Sequence, residues 1–372
     1  MNFLIDRNLK AARSAFGRHG TVRVMDGRQI RRRHLHDIGA LIIRTTTRVD
    51  SNLLEGTPVA FVGSASIGTD HLDVPWLEKS GIHWANAPGC NADAAAQYTL
   101  ASIWLACERL GKKPRGMTAG VIGRGNVGSR VQRLLAAIGM DVVANDPPLQ
   151  ERGAEGLIGL EDALSCDVVT LHTPLTRDGP WPTHRMIGPR QLGRMKQSGL
   201  LVNAGRGNVI DGAALLESLS RKRVHAALDV WPGEPRFSGA LLESTVVATP
   251  HVAGYSDEGR FNGTAAVYRA FCDWLRIEAE PIPFPGAEPD VLTVESGDAG
   301  ITRALDAACF VKRHDDAMRR LASLGVDERA AAFDRLRKDY PPRRDFHAWR
   351  LRCDDRATRR TLGSLGFRLE DR

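Results

Sequence analysis

The chain has no uninterrupted apolar stretch approaching the ~20 residues that a bilayer span needs, so no segment is expected to cross a membrane. A secretory signal is missing too. Met1-Asn2-Phe3-Leu4-Ile5-Asp6 meets an acidic residue at once, without the basic start and longer apolar core of a signal peptide. It reads as a first strand, and cytoplasmic residence is the expectation. Paired cysteines are absent: Cys90, Cys107, Cys166, Cys272, Cys309 and Cys353 are scattered without a C-x-x-C pair. This argues against a zinc ribbon or a disulfide framework and predicts reduced, mostly buried thiols. There is no internal repeat and no low-complexity tract. Nor is there a one-sided charge tail. The net charge is +7, but from Val291 onward 18 Lys+Arg stand among 14 Asp+Glu with the signs interleaved, the pattern of a solvated, ion-paired surface. The densest basic run, Arg31-Arg32-Arg33-His34 after Arg28, reads as the exposed face of a helix. No nucleic-acid or membrane partner is expected, only a bias toward small anionic substrates.

At 372 residues the chain exceeds what one core usually supports, and two or three domains are predicted. The runs Phe3-Leu4-Ile5, Ala40–Ile43, Val59–Val62 and Ile82–Trp84 alternate with helical patterns, as in a parallel sheet covered on both faces. Pro88-Gly89 breaks the series. Asn91-Ala92-Asp93 then caps a long helix through Ala94 to Arg109. A second series follows: Thr118 onward, Val142–Ala144, Asp167–Leu171, Leu200–Val202, Val224–Val230 and Val246–Ala248. Six strands with intervening helices fit one doubly wound domain. Pro281-Ile282-Pro283-Phe284-Pro285-Gly286 reads as a linker into a charged α+β segment.

The second series opens on G-x-G-x-x-G: Gly123, Gly125 and Gly128, enclosing Asn126 and Val127, lie after an apolar strand and before a helix. Gly123 permits the tight turn, Gly125 lets backbone approach a pyrophosphate, and Gly128 lets helix and strand pack closely. Val131, Leu134, Leu135 and Ile138 follow at helical spacing. Asp146, eighteen residues beyond Gly128, ends the second strand, where a carboxylate accepts from an adenosine ribose and repels a 2′-phosphate. NAD is therefore expected over NADP. A methyltransferase could share these two features, but not the strand-end sequences that follow.

Three further strands run into His172-Thr173-Pro174-Leu175, Asn203-Ala204-Gly205-Arg206-Gly207 and Leu228-Asp229-Val230-Trp231-Pro232-Gly233-Glu234-Pro235. Ligands in open α/β sheets bind beyond such carboxyl ends. Taken singly, Arg206 reads as a surface ion-pair member, Glu234 as a turn residue and His251 as a loop histidine. Their shared order behind a cofactor fingerprint favours chemistry: a guanidinium fork for a carboxylate, an imidazole to take a hydroxyl proton, and a carboxylate to hold that imidazole.

This order, completed by Thr249-Pro250-His251-Val252-Ala253-Gly254-Tyr255, resembles the D-isomer-specific 2-hydroxyacid dehydrogenases. Within them the likeness is to the erythronate-4-phosphate dehydrogenase branch along essentially the whole chain. It is carried by Phe61 to His71, Ala87 to Ala92, Asp146-Pro147-Pro148, Asp178-Gly179-Pro180, Glu258-Gly259-Arg260, Phe333 to Tyr340 and Leu365-Gly366-Phe367. The resemblance implies an α/β chain of three parts. Residues 1–92 and 255–285 would form a flavodoxin-like substrate domain, 93–254 a Rossmann NAD-binding domain, and 286–372 a C-terminal α+β domain that dimerises the protein. It implies Arg206, Glu234 and His251 as catalytic. Asp146, Thr173, Ala204, Asp229 and Gly254 would contact NAD, and Thr45, Ser66 and Tyr255 the substrate. The implied reaction is oxidation of 4-phospho-D-erythronate at C2 for vitamin B6 biosynthesis, without a metal because arginine supplies the positive charge. Hinges near Asn91 and Tyr255 would allow closure, and Arg44 with basic residues of the tail would receive the phosphate. Another D-2-hydroxy acid, such as 3-phosphoglycerate, or a role as an NAD-sensing corepressor are the alternatives.

The chain departs from the family pattern in four places. Thr45 stands where serine is usual and Ser66 where threonine is usual, so both keep a hydroxyl. Leu149 replaces a common arginine, and Gln97 a common glutamate.

Overall fold

A computed structural model describes residues 1–370. The chain divides into two units: residues 1–92 with 255–287, and 93–254 with 288–372. The first holds a parallel sheet in the order β2-β1-β3-β4-β5, the flavodoxin-like arrangement. Its strands are β1 (Asn2–Asp6), β2 (Thr21–Met25), β3 (Ala40–Ile43), β4 (Phe61–Ser64) and β5 (His83–Ala85). The period of two along each strand sorts the side chains onto two covered faces. Phe3, Ile5, Ile42 and Phe61 meet Val267, Tyr268 and Phe271 of the helix Asp257–Leu275. Leu4, Leu41, Ile43 and Val62 meet Leu35, Leu53 and Leu77 on the other face.

Two local expectations are corrected here. The edge strand β2 was not foreseen, because Thr21-Val22-Arg23-Val24-Met25 lies at a sheet margin with no residue fully buried and lacks a continuous apolar run. The basic run is not a helix either: Gly27–Gln29 and Arg32–His34 are separate 3-10 turns.

The second unit contains β6 (Thr118–Ile122), β7 (Asp141–Asn145), β8 (Val168–Leu171), β9 (Gly199–Asn203), β10 (Val224–Leu228) and β11 (Val247–Ala248). All pair in parallel, in the order β11-β10-β9-β8-β6-β7. The order reverses at β6, so a crevice opens beyond the carboxyl ends of β6 and β8. The long helix is Ala92–Arg109. No helix among the described residues is long and apolar enough to cross a membrane.

The tail forms a small parallel sheet of β12 (Leu292–Thr293), β13 (Arg350–Arg352) and β14 (Arg368–Leu369), with helices between. It shares a core with the rest of the second unit. Met318, Leu321 and Phe333 join the cluster that holds Trp231, Phe237 and Leu241. Phe333 meets Phe237 edge-on with ring centroids 5.2 Å apart, and Phe237 stacks on Trp231 at 4.8 Å. Truncating so buried a ring removes its transfer free energy and leaves a cavity, so Phe333→Ala is expected to cost about 3–5 kcal/mol in denaturant unfolding. A loss under about 1 kcal/mol would mean that the tail is not part of this core.

Candidate active site

The cofactor cradle grows from β6. Gly123 follows it at φ 90°, and a Cβ there would stand 2.9 Å from the His172 carbonyl carbon and oxygen. The turn thus needs glycine for conformation and for space. At Gly128 an added Cβ would lie 1.9 Å from the Gly123 carbonyl oxygen, so only glycine lets the helix Asn126–Ala137 start this close. Gly125 is the opposite case: nothing lies within 4 Å of a Cβ built on it. That open ground, in front of a helix N-terminus, is where anionic oxygens are best received.

Asp146 caps the next helix. Its carboxylate accepts from the Leu149 amide at 3.0 Å and from the Arg124 amide at 2.8 Å. These bonds fix the Asp146 carboxylate beside the glycine turn, and each oxygen keeps a lone pair for a ribose hydroxyl. Past β8, burial pushes the His172 imidazole down to about 3, so it is neutral, and its Nε2 meets the Thr170 hydroxyl at 2.9 Å. The Thr173 hydroxyl is sealed from solvent and has no partner among the described residues. A buried polar atom left this way is costly unless a ligand completes it. The open space at Gly125, the Asp146 carboxylate and the unsatisfied Thr173 hydroxyl together fit a dinucleotide.

Arg206, Glu234 and His251 lie on the loops after β9, β10 and β11. Asn203, wholly buried, holds the first loop by donating to the Arg206 carbonyl (2.9 Å) and accepting from the Gly205 amide (3.0 Å). Its neighbour is locked against the second loop. A Cβ on Gly207 would lie 2.1 Å from the Trp231 carbonyl oxygen, and Asn208 accepts from the Gly233 amide at 3.1 Å. Trp231, fully buried, anchors that loop through its indole N–H to the Thr249 carbonyl at 3.0 Å.

Glu234 and His251 meet directly, Oε1 to Nδ1. The other carboxylate oxygen accepts from the Trp231 amide at 3.0 Å. Burial works against charge on Glu234, but the His251 imidazole and the Trp231 amide outweigh it and hold the carboxyl below its ordinary range. A group shifted this way stabilises the fold fully above its unfolded value, and that contribution fades as pH falls through the folded one. The stability difference between the parent and Glu234→Gln is therefore expected to shrink as pH falls below about 4.5. Denaturant unfolding at a series of pH values checks this, and a constant difference down to pH 3 would contradict it.

His251 has φ 57°, a left-handed conformation that a histidine adopts only under constraint. The constraint is Asp229. Its carbonyl accepts from the His251 amide at 2.7 Å, and its buried carboxylate accepts from the Val252 and Ala253 amides and the Thr249 hydroxyl at 2.7–3.0 Å. Asp229, expected to touch the cofactor, turns its carboxylate to the loop that carries His251. Ala204 and Gly254 lie half-buried on the loops beside Arg206 and His251.

The three residues expected at the substrate belong to the first unit. Thr45 is exposed in the turn after β3, and Tyr255 opens the return of the chain, with the Arg260 guanidinium 5.4 Å from its ring. Ser66 follows β4 within a hydroxyl relay: its Oγ meets Ser64 at 2.6 Å, and Ser64 meets His71 Nε2 at 2.8 Å. The Arg44 guanidinium pairs with the buried Asp6 carboxylate at 3.2 Å. The same turn leads into a cavity of about 360 Å³ bordered by Thr46, Thr47, Arg28, Arg31, Arg32 and Arg48, the last paired at 3.1 Å with Asp50 on the same wall. Backbone carbonyls hold two of these guanidiniums: Arg31 bonds to Arg28 and Ile30, Arg32 to Ser51 and Asn52. Asn203, Asn208 and the Ser64–His71 pair were not singled out from sequence. Asn203 had a signal, being the last residue of a buried strand inside the quoted motif.

Residues 90–253 match the model of the D-isomer specific 2-hydroxyacid dehydrogenase NAD binding domain, and residues 293–366 match a domain of unknown function, DUF3410. The erythronate-4-phosphate dehydrogenase of Marinobacter nauticus is 42% identical over the whole of both chains. That of Stutzerimonas stutzeri is 40% identical over 99% of this chain and all of its own. Among solved structures, the TT0316 protein of Thermus thermophilus is similar with a TM-score of 0.65 and 27% identity, over 75% of this chain and 98% of that one. The glycine turn, the paired Glu234 and His251 with the Arg206 loop packed against the glutamate loop, and identity of this extent lead to one conclusion: the chain belongs to the erythronate-4-phosphate dehydrogenase family of NAD-dependent 2-hydroxyacid dehydrogenases.

Proposed function

We infer that this protein oxidises 4-phospho-D-erythronate at C2 to 2-oxo-3-hydroxy-4-phosphobutanoate, a step toward pyridoxine 5′-phosphate. The observation that carries this reading is the Glu234–His251 pair standing beside the Arg206 loop in a chain with full-length relatives of that name. Arg206 is suited to hold the substrate carboxylate and to stabilise charge growing on the C2 oxygen. His251 has Nδ1 engaged by Glu234, which leaves Nε2 to take the hydroxyl proton. The C2 hydrogen then leaves with its electron pair as the carbon–oxygen double bond forms. Bound NAD supplies the acceptor for that hydride. Glu234, held charged, stabilises the imidazolium that results. Gly125, Asp146 and Thr173 would hold the cofactor. The arginine-bordered cavity that continues the Thr45 turn supports a phosphorylated substrate.

The test is NADH formation with 4-phosphoerythronate, unphosphorylated erythronate and 3-phosphoglycerate compared at equal concentration. Preference for the first supports the reading. Preference for 3-phosphoglycerate would reassign the substrate, and no turnover on any of them would leave only nucleotide sensing. A homodimer joined through residues 286–372 and residence in the cytoplasm complete the proposal, and sedimentation of the purified protein tests the dimer.

A further inference from the structure

We propose that Arg343 is a positioning residue: its guanidinium clamps the Ala94 and Ala253 carbonyls, fixing the His251 loop and the two points where the chain passes between its units. The tail would then have a task inside the catalytic framework, in a region that matches a domain of unknown function.

The argument starts from burial. Arg343 is only 2% exposed, and a guanidinium taken out of water demands specific partners. Its Nη2 donates to the Ala253 carbonyl at 2.7 Å and to the Ala94 carbonyl at 3.0 Å. Its central carbon lies 5.1 Å from the Tyr98 ring centroid, so the charge is also held against an aromatic face. The positions of the two carbonyls give these bonds their meaning. The chain crosses between units at 92/93 and again at 254/255. Ala94 and Ala253 are therefore almost the first and last residues of the central stretch, and one side chain ties them together.

The clamp also completes the hold on the His251 loop. Asp229 takes the amides of residues 251–253, while Arg343 takes the carbonyl of residue 253. A peptide gripped at both N–H and C=O is well placed to keep His251 in its left-handed conformation. A second anchor runs alongside: the Phe346 amide donates to the buried Gln97 side chain at 3.1 Å. An amide oxygen accepts that bond without a charge, which accounts for the tolerance of glutamine there.

The experiment compares Arg343→Lys and Arg343→Met in the full chain. Lysine keeps the charge and can reach one carbonyl, whereas methionine reaches neither. In folded Arg343→Lys, amide hydrogen exchange across residues 251–253 is expected to quicken about tenfold or more. Misplacing the base should lower kcat about 10- to 100-fold while KM for NAD stays near the parent value. Methionine should be worse in both readouts; if it fails to fold, lysine alone decides. Parent-like exchange in folded variants would overturn the clamp. A fall in activity that only follows the loss of folded protein would overturn the positioning role. The kinetic arm rests on the dehydrogenase reading and the exchange arm does not, so failure of one is distinguishable from failure of the other.

Discussion

His251→Asn is expected to lower kcat by about 10²–10⁴-fold, the range that a positioned general base contributes. Asparagine is the informative replacement because residue 251 sits at φ 57°, which asparagine tolerates far better than alanine does. Alanine would add backbone strain to the loss of the base, and the two effects could not be separated. The Asp229 bonds to the 251–253 amides use only the backbone, so they survive the change. NAD affinity, measured by quenching of tryptophan fluorescence, should therefore remain near that of the parent. A folded His251→Asn enzyme with parental turnover would remove the imidazole from the chemistry.

Arg206→Lys is the second large effect, with kcat/KM expected to fall about 10²–10³-fold. An ammonium keeps the charge but loses the planar fork that matches a carboxylate in two places at once. The loop itself should stand, because Asn203 and Gly207 fix it through backbone, and the bond of the Arg206 guanidinium to the adjacent Gly205 carbonyl, at 3.0 Å, spans only one residue. Both kcat and KM should worsen, in contrast to His251→Asn, where kcat carries most of the loss. Steady-state kinetics on the two variants separates these patterns, and an Arg206→Lys enzyme with unaltered KM would contradict the carboxylate role.

Much of the architecture was legible because parallel strands buried on both faces write themselves as short apolar runs. Leu200–Val202 and Val246–Ala248 needed nothing beyond their own composition to be found. The glycine turn was legible because its three positions answer to local geometry. What escaped reading was distant or marginal. β2 has one flank open, so its sequence mixes Arg23 among its valines and gives no continuous run. The hold of Asp229 on the His251 loop escaped reading because its partners, the amides of residues 252 and 253, belong to backbone that has no signature in sequence. Arg343 bonds to a residue 249 positions away, and a single arginine in a charged tail gives no local hint of burial. The tail was separable by composition but not by packing, since Met318 and Phe333 look alike whether they fill their own core or another's.

That shared packing bears on how this chain can be recombined with its relatives. A chimaera that exchanges residues 93–254 alone would graft a foreign surface onto Phe333, Met318 and Leu321, whose complementary shapes lie on Trp231, Phe237 and Leu241. Crossovers at 92/93, 254/255 and 287/288 would instead move the nucleotide fold and the tail as one inherited block. A change of ring at Phe237 or Phe333 would therefore need a matching change across the seam to keep the same packing.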